Sequence, residues 1–190
     1  MKKILQKEEA VLHQVAKEIP VDEIKTPKIK KILKEMSDSL KSQGDGVAIA
    51  APQIGYSLRI FVVSGKIFEE DFPKNRKERM DGKKEIAEVV KAKEKVKDIV
   101  FINPKILKLS KEKEWMPEGC LSVRPLYGKT YRSKKATVEA YDEEGKKFIR
   151  GGSGLLAQIF QHETDHLDGI LFTEHAKDLR EEEIPGYEKE

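Results

Sequence analysis

The run His162-Glu163-Thr164-Asp165-His166 is the part of this chain best suited to chemistry. Two histidines four residues apart lie on one face of a helix, where their imidazoles can converge on a single metal ion. The acid between them, Glu163, begins beside that face. Such an arrangement serves metal hydrolases, in which the ion polarises a carbonyl and lowers the pKa of water. Two imidazoles leave the ligand set incomplete. Cys120, the only cysteine in the chain, is a soft donor from a separate element and the natural third ligand of a four-coordinate site. Three blander readings stand beside this one: two structural histidines, a buried inert thiol, and a Cys/His nucleophilic dyad. Thiolate coordination would engage the lone pair that the dyad needs.

These residues need a helix and a sheet to hold them. The stretch LLAQIFQHETDHL from Leu155 has helical spacing and almost no charge before Glu163, which predicts a buried central helix closed by Gly169. A second helix is predicted from Thr26, with Ile29, Ile32, Leu33, Met36 and Leu40 along one side, Thr26 and Pro27 at its start and Gly44 at its end. Strands are expected at 58–63, 99–102, 105–109 and 136–140, and again around Phe148 and Ile149. Asn103-Pro104 reads as a turn or bulge, 142–145 as a hairpin connection, and Ile170 to Phe172 as a short returning strand. Ala50 to Gln53 is a small-residue segment. Strands first and a helix late imply an α+β fold of mainly antiparallel β-sheets around a central metal-binding helix. We expect a single catalytic domain over 1–190, with a charged, solvated insertion at about 65–98 whose Ile86, Val89, Val90 and Val96 mark the inner face of a helix.

Three segments together resemble the signature segments of the peptide deformylases: GVAIAAPQ at Gly46 to Gln53, EGCLS at Glu118 to Ser122, and QHETDH at Gln161 to His166. The resemblance implies Cys120, His162 and His166 as ligands of one divalent metal ion, Fe(II) in the family, although the same donors accept zinc, nickel or cobalt. It implies proton transfer by Glu163 and oxyanion stabilisation by Gln53 and the backbone amide of Leu121. For substrate it implies backbone contacts at Val47 and Gly119, a methionine pocket near Leu155, Gln158 and Ile159, and support or substrate contact from Arg132, with Glu118 as the family's acidic position. The implied reaction removes the formyl group from N-formylmethionyl nascent peptides. Ala48, where the family has glycine, and Arg124, which interrupts the usual passage into proline, depart from the pattern. A zinc peptidase would share the helical motif, but its third ligand is commonly histidine or glutamate.

Composition sets the outer bounds. The 190 residues are 38% hydrophobic and 37% charged, enough apolar content for a packed core. The net charge of +3 is dispersed among acidic residues, so sequence-specific nucleic-acid binding is not expected, whereas transient ribosome contact is compatible with it. Glu8 and Glu9 interrupt the basic start before any apolar run, and no window reaches membrane-spanning length. The expectation is a cytoplasmic monomer.

Overall fold

The computed structural model describes residues 2–69, 72 and 96–183. Helix α1 spans Pro27–Lys41; the Thr26 hydroxyl accepts from the Ile29 amide, and Pro27, with no N–H to satisfy, occupies the first turn. All five residues of its predicted apolar side are buried. The strands follow as β1 (Ala48–Ala50), β2 (Ile60–Val63), β3 (Ile99–Leu109), β4 (Lys113–Gly119), β5 (Leu126–Ser133), β6 (Lys135–Tyr141) and β7 (Lys147–Ser153). Helix α2 (Leu155–Leu167) and strand β8 (Lys177–Glu181) come last among the described residues.

Among the described residues two antiparallel sheets result, one ordered β1-β2-β3-β6-β7 and the other β4-β5-β8. Side chains of the larger sheet alternate between two cores, as a period of two requires. Ile49, Ile60, Val62 and Ile102 join the α1 residues in one cluster. Ala48, Ala50, Phe61, Val63 and Phe101 face the other way and pack with Ala157, Phe160 and Leu167 of α2. The Phe61 and Phe101 rings stack at 4.5 Å. Buried on both faces, β1 and β2 carry apolar runs without polar alternation. Helix α2 is thereby fixed against the sheet by one side and left with another for chemistry.

Asn103 and Pro104 form a bulge inside one continuous strand, with the register shifting between Ile102 and Lys105. Asn103 adopts φ 49, and its side-chain amide replaces the lost ladder by bonding both the N–H and the C=O of Ile19. Strand β2 begins at Ile60, two residues later than expected, and Ala51–Ile54 is a 3-10 turn. Ile170 to Phe172 does not form a strand. The Glu174 carboxylate captures the Leu171 amide, and the chain turns into a 3-10 segment at Phe172–Glu174. Gly169, at φ 76, follows the end of α2 as expected. In the insertion, Ile86, Val89 and Val90 lie outside the described residues, and Val96 is 44% exposed.

Candidate active site

One side of α2 is buried in the sheet, so positions 158, 162 and 166, spaced by four, point together toward β4 and β5. The His162 and His166 rings lie 4.9 Å apart. Cys120 follows the last residue of β4, and its Sγ is 3.1 Å from His166 Nε2. One ligand atom from each of Cys120, His162 and His166 falls within 4.8 Å of the others, the grouping of this kind found among the described residues.

Glu118 orients this cluster. Its Oε1 accepts from His162 Nδ1 at 2.7 Å and from Arg132 Nη2 at 2.7 Å. Its Oε2 accepts from the Thr130 hydroxyl at 2.6 Å, Arg132 Nε at 3.1 Å and Gln158 Nε2 at 3.1 Å. With Nδ1 held, His162 presents Nε2 to the cluster. Burial opposes charge on Glu118, yet His162 and Arg132 keep it ionised, well below the usual carboxylate range. Arg132 also reaches Asp165 at 2.6 Å, tying β5 to the metal-binding helix.

These residues fit a divalent ion. One sulfur and two imidazole nitrogens suit zinc or Fe(II). Burial, with the charge of His162 next, holds the His166 imidazole well below its ordinary pKa and therefore neutral, the form that ligates. Burial alone would discharge His162 as well, but Glu118 and Cys120 overcome it and favour positive charge at this point. A bound cation satisfies the same field.

Gln53 lies within the Ala51–Ile54 turn. Its Oε1 accepts from the Ala50 amide at 2.8 Å, which turns Nε2 toward Ser122 Oγ at 3.1 Å and Cys120 Sγ at 3.5 Å. Leu121 buries its side chain among the α1 residues and leaves its backbone beside Cys120. Glu163 is 3% exposed, and its Oε2 has no hydrogen-bond partner. Burial first, then the nearby Glu118 and Asp165 charges, push its pKa up to about 7 against the opposing effect of His162.

The substrate positions inferred from sequence are more scattered. Val47 is partly buried, and its carbonyl accepts from the Ser64 amide. Gly119 stands opposite Tyr127 in the β4–β5 register. Leu155 packs partly buried at the start of α2, while Ile159 is deep in the cluster beneath the sheet. Gln158 is engaged with Glu118 and the Pro117 carbonyl. Arg132 is buried in its ion pairs. The Ala48 methyl lies in the α2-facing core. Sequence reasoning passed over Thr130, Asp165 and Ser122. The alternation Thr130-Tyr131-Arg132 and the position of Asp165 three residues after His162 were the available signals.

The raised pKa of Glu163 has a consequence for the metal-free protein. Its folded state retains a proton that the unfolded chain releases near the ordinary 4.5. The stability this contributes is present below that value and is lost as pH rises through about 7, a fall on the order of 3 kcal/mol. Urea unfolding of chelator-stripped protein at about pH 5 and about pH 8.5 should show it as a difference between wild type and Glu163→Gln, since the variant cannot titrate there. Equal pH dependence in the two proteins would contradict the assignment.

Residues 1–182 match the family model described as polypeptide deformylase. Over 152 residues the chain is 40% identical to peptide deformylase 2 of Clostridium acetobutylicum, covering 80% of this chain and 81% of that protein. A peptide deformylase of Carboxydothermus hydrogenoformans is 36% identical over 177 residues, covering 93% and 94%. Among solved structures, a class I type b peptide deformylase from Acinetobacter baumannii, described as Met-Ala-Ser bound, superposes with a TM-score of 0.74 at 26% identity, covering 92% of this chain and 98% of that one. A peptide deformylase from Legionella pneumophila gives 0.72 at 31% identity, covering 94% and 87%. With this agreement over nearly its whole length and a Cys/His/His cluster in place, the chain belongs to the polypeptide deformylase family.

Proposed function

We propose that Glu163, Gln53 and the Leu121 backbone amide divide the chemistry of the reaction this enzyme performs. That reaction is metal-dependent hydrolysis of the N-formyl group from the N-terminal methionine of nascent proteins, with release of formate. The observation that carries the division of labour is the unpartnered carboxylate oxygen of Glu163, buried on the residue next to His162.

Cys120, His162 and His166 would hold one divalent ion, which supplies Lewis acidity to the formyl carbonyl and acidifies water. Glu163 accepts a proton from the attacking water and returns it to the amine nitrogen as the C–N bond breaks. Burial favours the protonated form of this carboxyl group, which suits it to take up a proton and return it within the site. The Gln53 Nε2–H and the Leu121 N–H donate to the oxygen on which negative charge grows. Because the Ala50 amide occupies Gln53 Oε1, the donor end of that side chain is held beside Cys120, where Nε2 exchanges its long contact with Cys120 Sγ for one with the oxygen.

Val47 and Gly119 are assigned the peptide backbone and Leu155 an apolar wall for methionine. Ile159 and Gln158 back that wall, and Arg132 acts through Glu118 rather than on the substrate. We assign Fe(II) as the native ion, with zinc, nickel and cobalt as alternatives for the same donors. The chain is read as one catalytic domain, a cytoplasmic monomer making transient ribosome contact. No helix among the described residues is long and apolar enough to cross a membrane.

Turnover of formyl-Met-Ala-Ser beside its unformylated counterpart tests the reading. Formate release without internal cleavage is expected. Internal cleavage would indicate a metallopeptidase, and silence with metal bound a binding protein. Acetyl-Met-Ala-Ser should be a poorer substrate by on the order of 10²-fold in kcat/KM. The methyl group crowds the path of the attacking water and makes the carbonyl less electrophilic, so both effects act in one direction. Comparable formate and acetate yields at matched metal occupancy would reject formyl selectivity.

A further inference from the structure

Arg124, one of the two departures from the family pattern, has no part in the chemistry above. Its side chain is 9% exposed, and Nη2 donates to Asp45 Oδ1 at 2.5 Å across 79 residues of sequence. Asp45 belongs to the segment that leads from α1 into Val47 and β1. We infer that Arg124 is a positioning residue for the substrate cleft: by pinning Asp45 it fixes the separation between the backbone at Val47 and the backbone at Gly119. This rests on the assignment of those two positions to the peptide.

Three contacts converge where the two segments meet. Arg124 holds the Asp45 carboxylate, and Asp45 lies close enough to Tyr127 that, after burial, its charge helps push the Tyr127 phenol up to about 12. Tyr127 is the register partner of Gly119, and its ring lies so close that a Cβ on Gly119 would come within 2.4 Å of it. A side chain at 119 would therefore displace the Tyr127 ring. Gly46 packs in the same way on Leu121, where an added Cβ would come within 3.2 Å of Cδ1. The Arg124–Asp45 pair thus joins the segment that leads into Val47 to the loop between the strands carrying Gly119 and Tyr127.

Removing the guanidinium leaves the metal ligands where they are. The loop after Cys120 has its own backbone bonds, Val123 N–H to the Cys120 carbonyl and Leu126 N–H to the Val123 carbonyl. The cleft edge moves while the reacting groups stay, which separates KM from kcat. Asp45 is 41% exposed, so the pair is partly screened and its influence is modest, about three- to tenfold in KM.

The test is a double-mutant cycle with Arg124→Gln, Asp45→Asn and the double variant, assayed for formate release from formyl-Met-Ala-Ser with metal content measured in parallel. Asparagine keeps the size of the side chain while removing the charge. Each single variant should raise KM by about three- to tenfold, with kcat within about twofold and metal stoichiometry unchanged. The double variant should be no worse than either single one, and Arg124→Lys should recover part of the loss. Unchanged KM, additive effects, or a fall in kcat at constant KM would overturn the inference. A wild-type protein that releases no formate would instead overturn the functional reading, and the inference with it.

Discussion

Glu163→Gln is expected to lower kcat by on the order of 10²- to 10⁴-fold while leaving the metal in place. The substitution keeps the size of the side chain and removes only the ability to take and return a proton. Glu163 lies outside the Cys120, His162 and His166 ligand set, so the ion loses no donor. The variant also removes a buried carboxyl group with an unpartnered oxygen, so stability above about pH 7 should be maintained or improved. Loss of activity alongside retained metal and undiminished stability separates a chemical role from misfolding. The measurements are single-turnover rate, metal stoichiometry and urea midpoint on the same preparation. Turnover within about tenfold of wild type would remove Glu163 from the proton path.

The helices and the apolar sheet could be read from sequence because their determinants are local. Thr26-Pro27 sets the start of α1, and Phe61, Val63 and Phe101 alternate with Ile60, Val62 and Ile102 because the sheet is buried on both faces. The β4–β5 hairpin escaped for the opposite reason. Its inward side chains include Glu118, Thr130 and Arg132, which are buried and polar, so no apolar period marks the strands. Their burial is compensated by partners distant in sequence, His162 and Asp165 on α2, and pairing of that kind leaves no local pattern. The metal ligands were visible because two of the three share one helical face. The orienting role of Glu118 became clear only once β4 and α2 were brought together. Ile170 to Phe172 misled for a related reason: three apolar residues suggest a strand, but the captured Leu171 amide turns the chain and sends Leu171 and Phe172 into the small cluster around Cys120.

Cys120→Ala is expected to lower metal affinity by 10²-fold or more, on the order of the largest effects seen when a ligand or its support is removed. Sulfur is the one donor supplied from outside α2, and without it two imidazoles on a single helix must hold the ion with solvent alone. The pocket around the thiol is built for a negative acceptor: the Ser122 amide points at Sγ from 3.4 Å and Gln53 Nε2 from 3.5 Å. Alanine leaves both donors facing a methyl group. Affinity therefore falls twice over, through the missing ligand and through a surrounding field that no longer matches its occupant. Glu118→Gln supplies the graded comparison, since it keeps all three ligands and weakens the hold on His162 together with the buried pair to Arg132, for which about 10- to 100-fold is expected. Competitive chelator titration ranks wild type, Glu118→Gln and Cys120→Ala in that order of decreasing affinity. Cobalt-substituted protein gives an independent reading, because a sulfur-to-cobalt charge-transfer band requires the Cys120 bond and should vanish only in the alanine variant. The small cluster of Leu12, Val123, Leu171 and Phe172 around the thiol keeps its apolar contacts, so the fold should survive and circular dichroism should be unchanged. Native metal stoichiometry with an intact charge-transfer band in Cys120→Ala would remove the cysteine from the ligand set and leave the two histidines to be explained by other means.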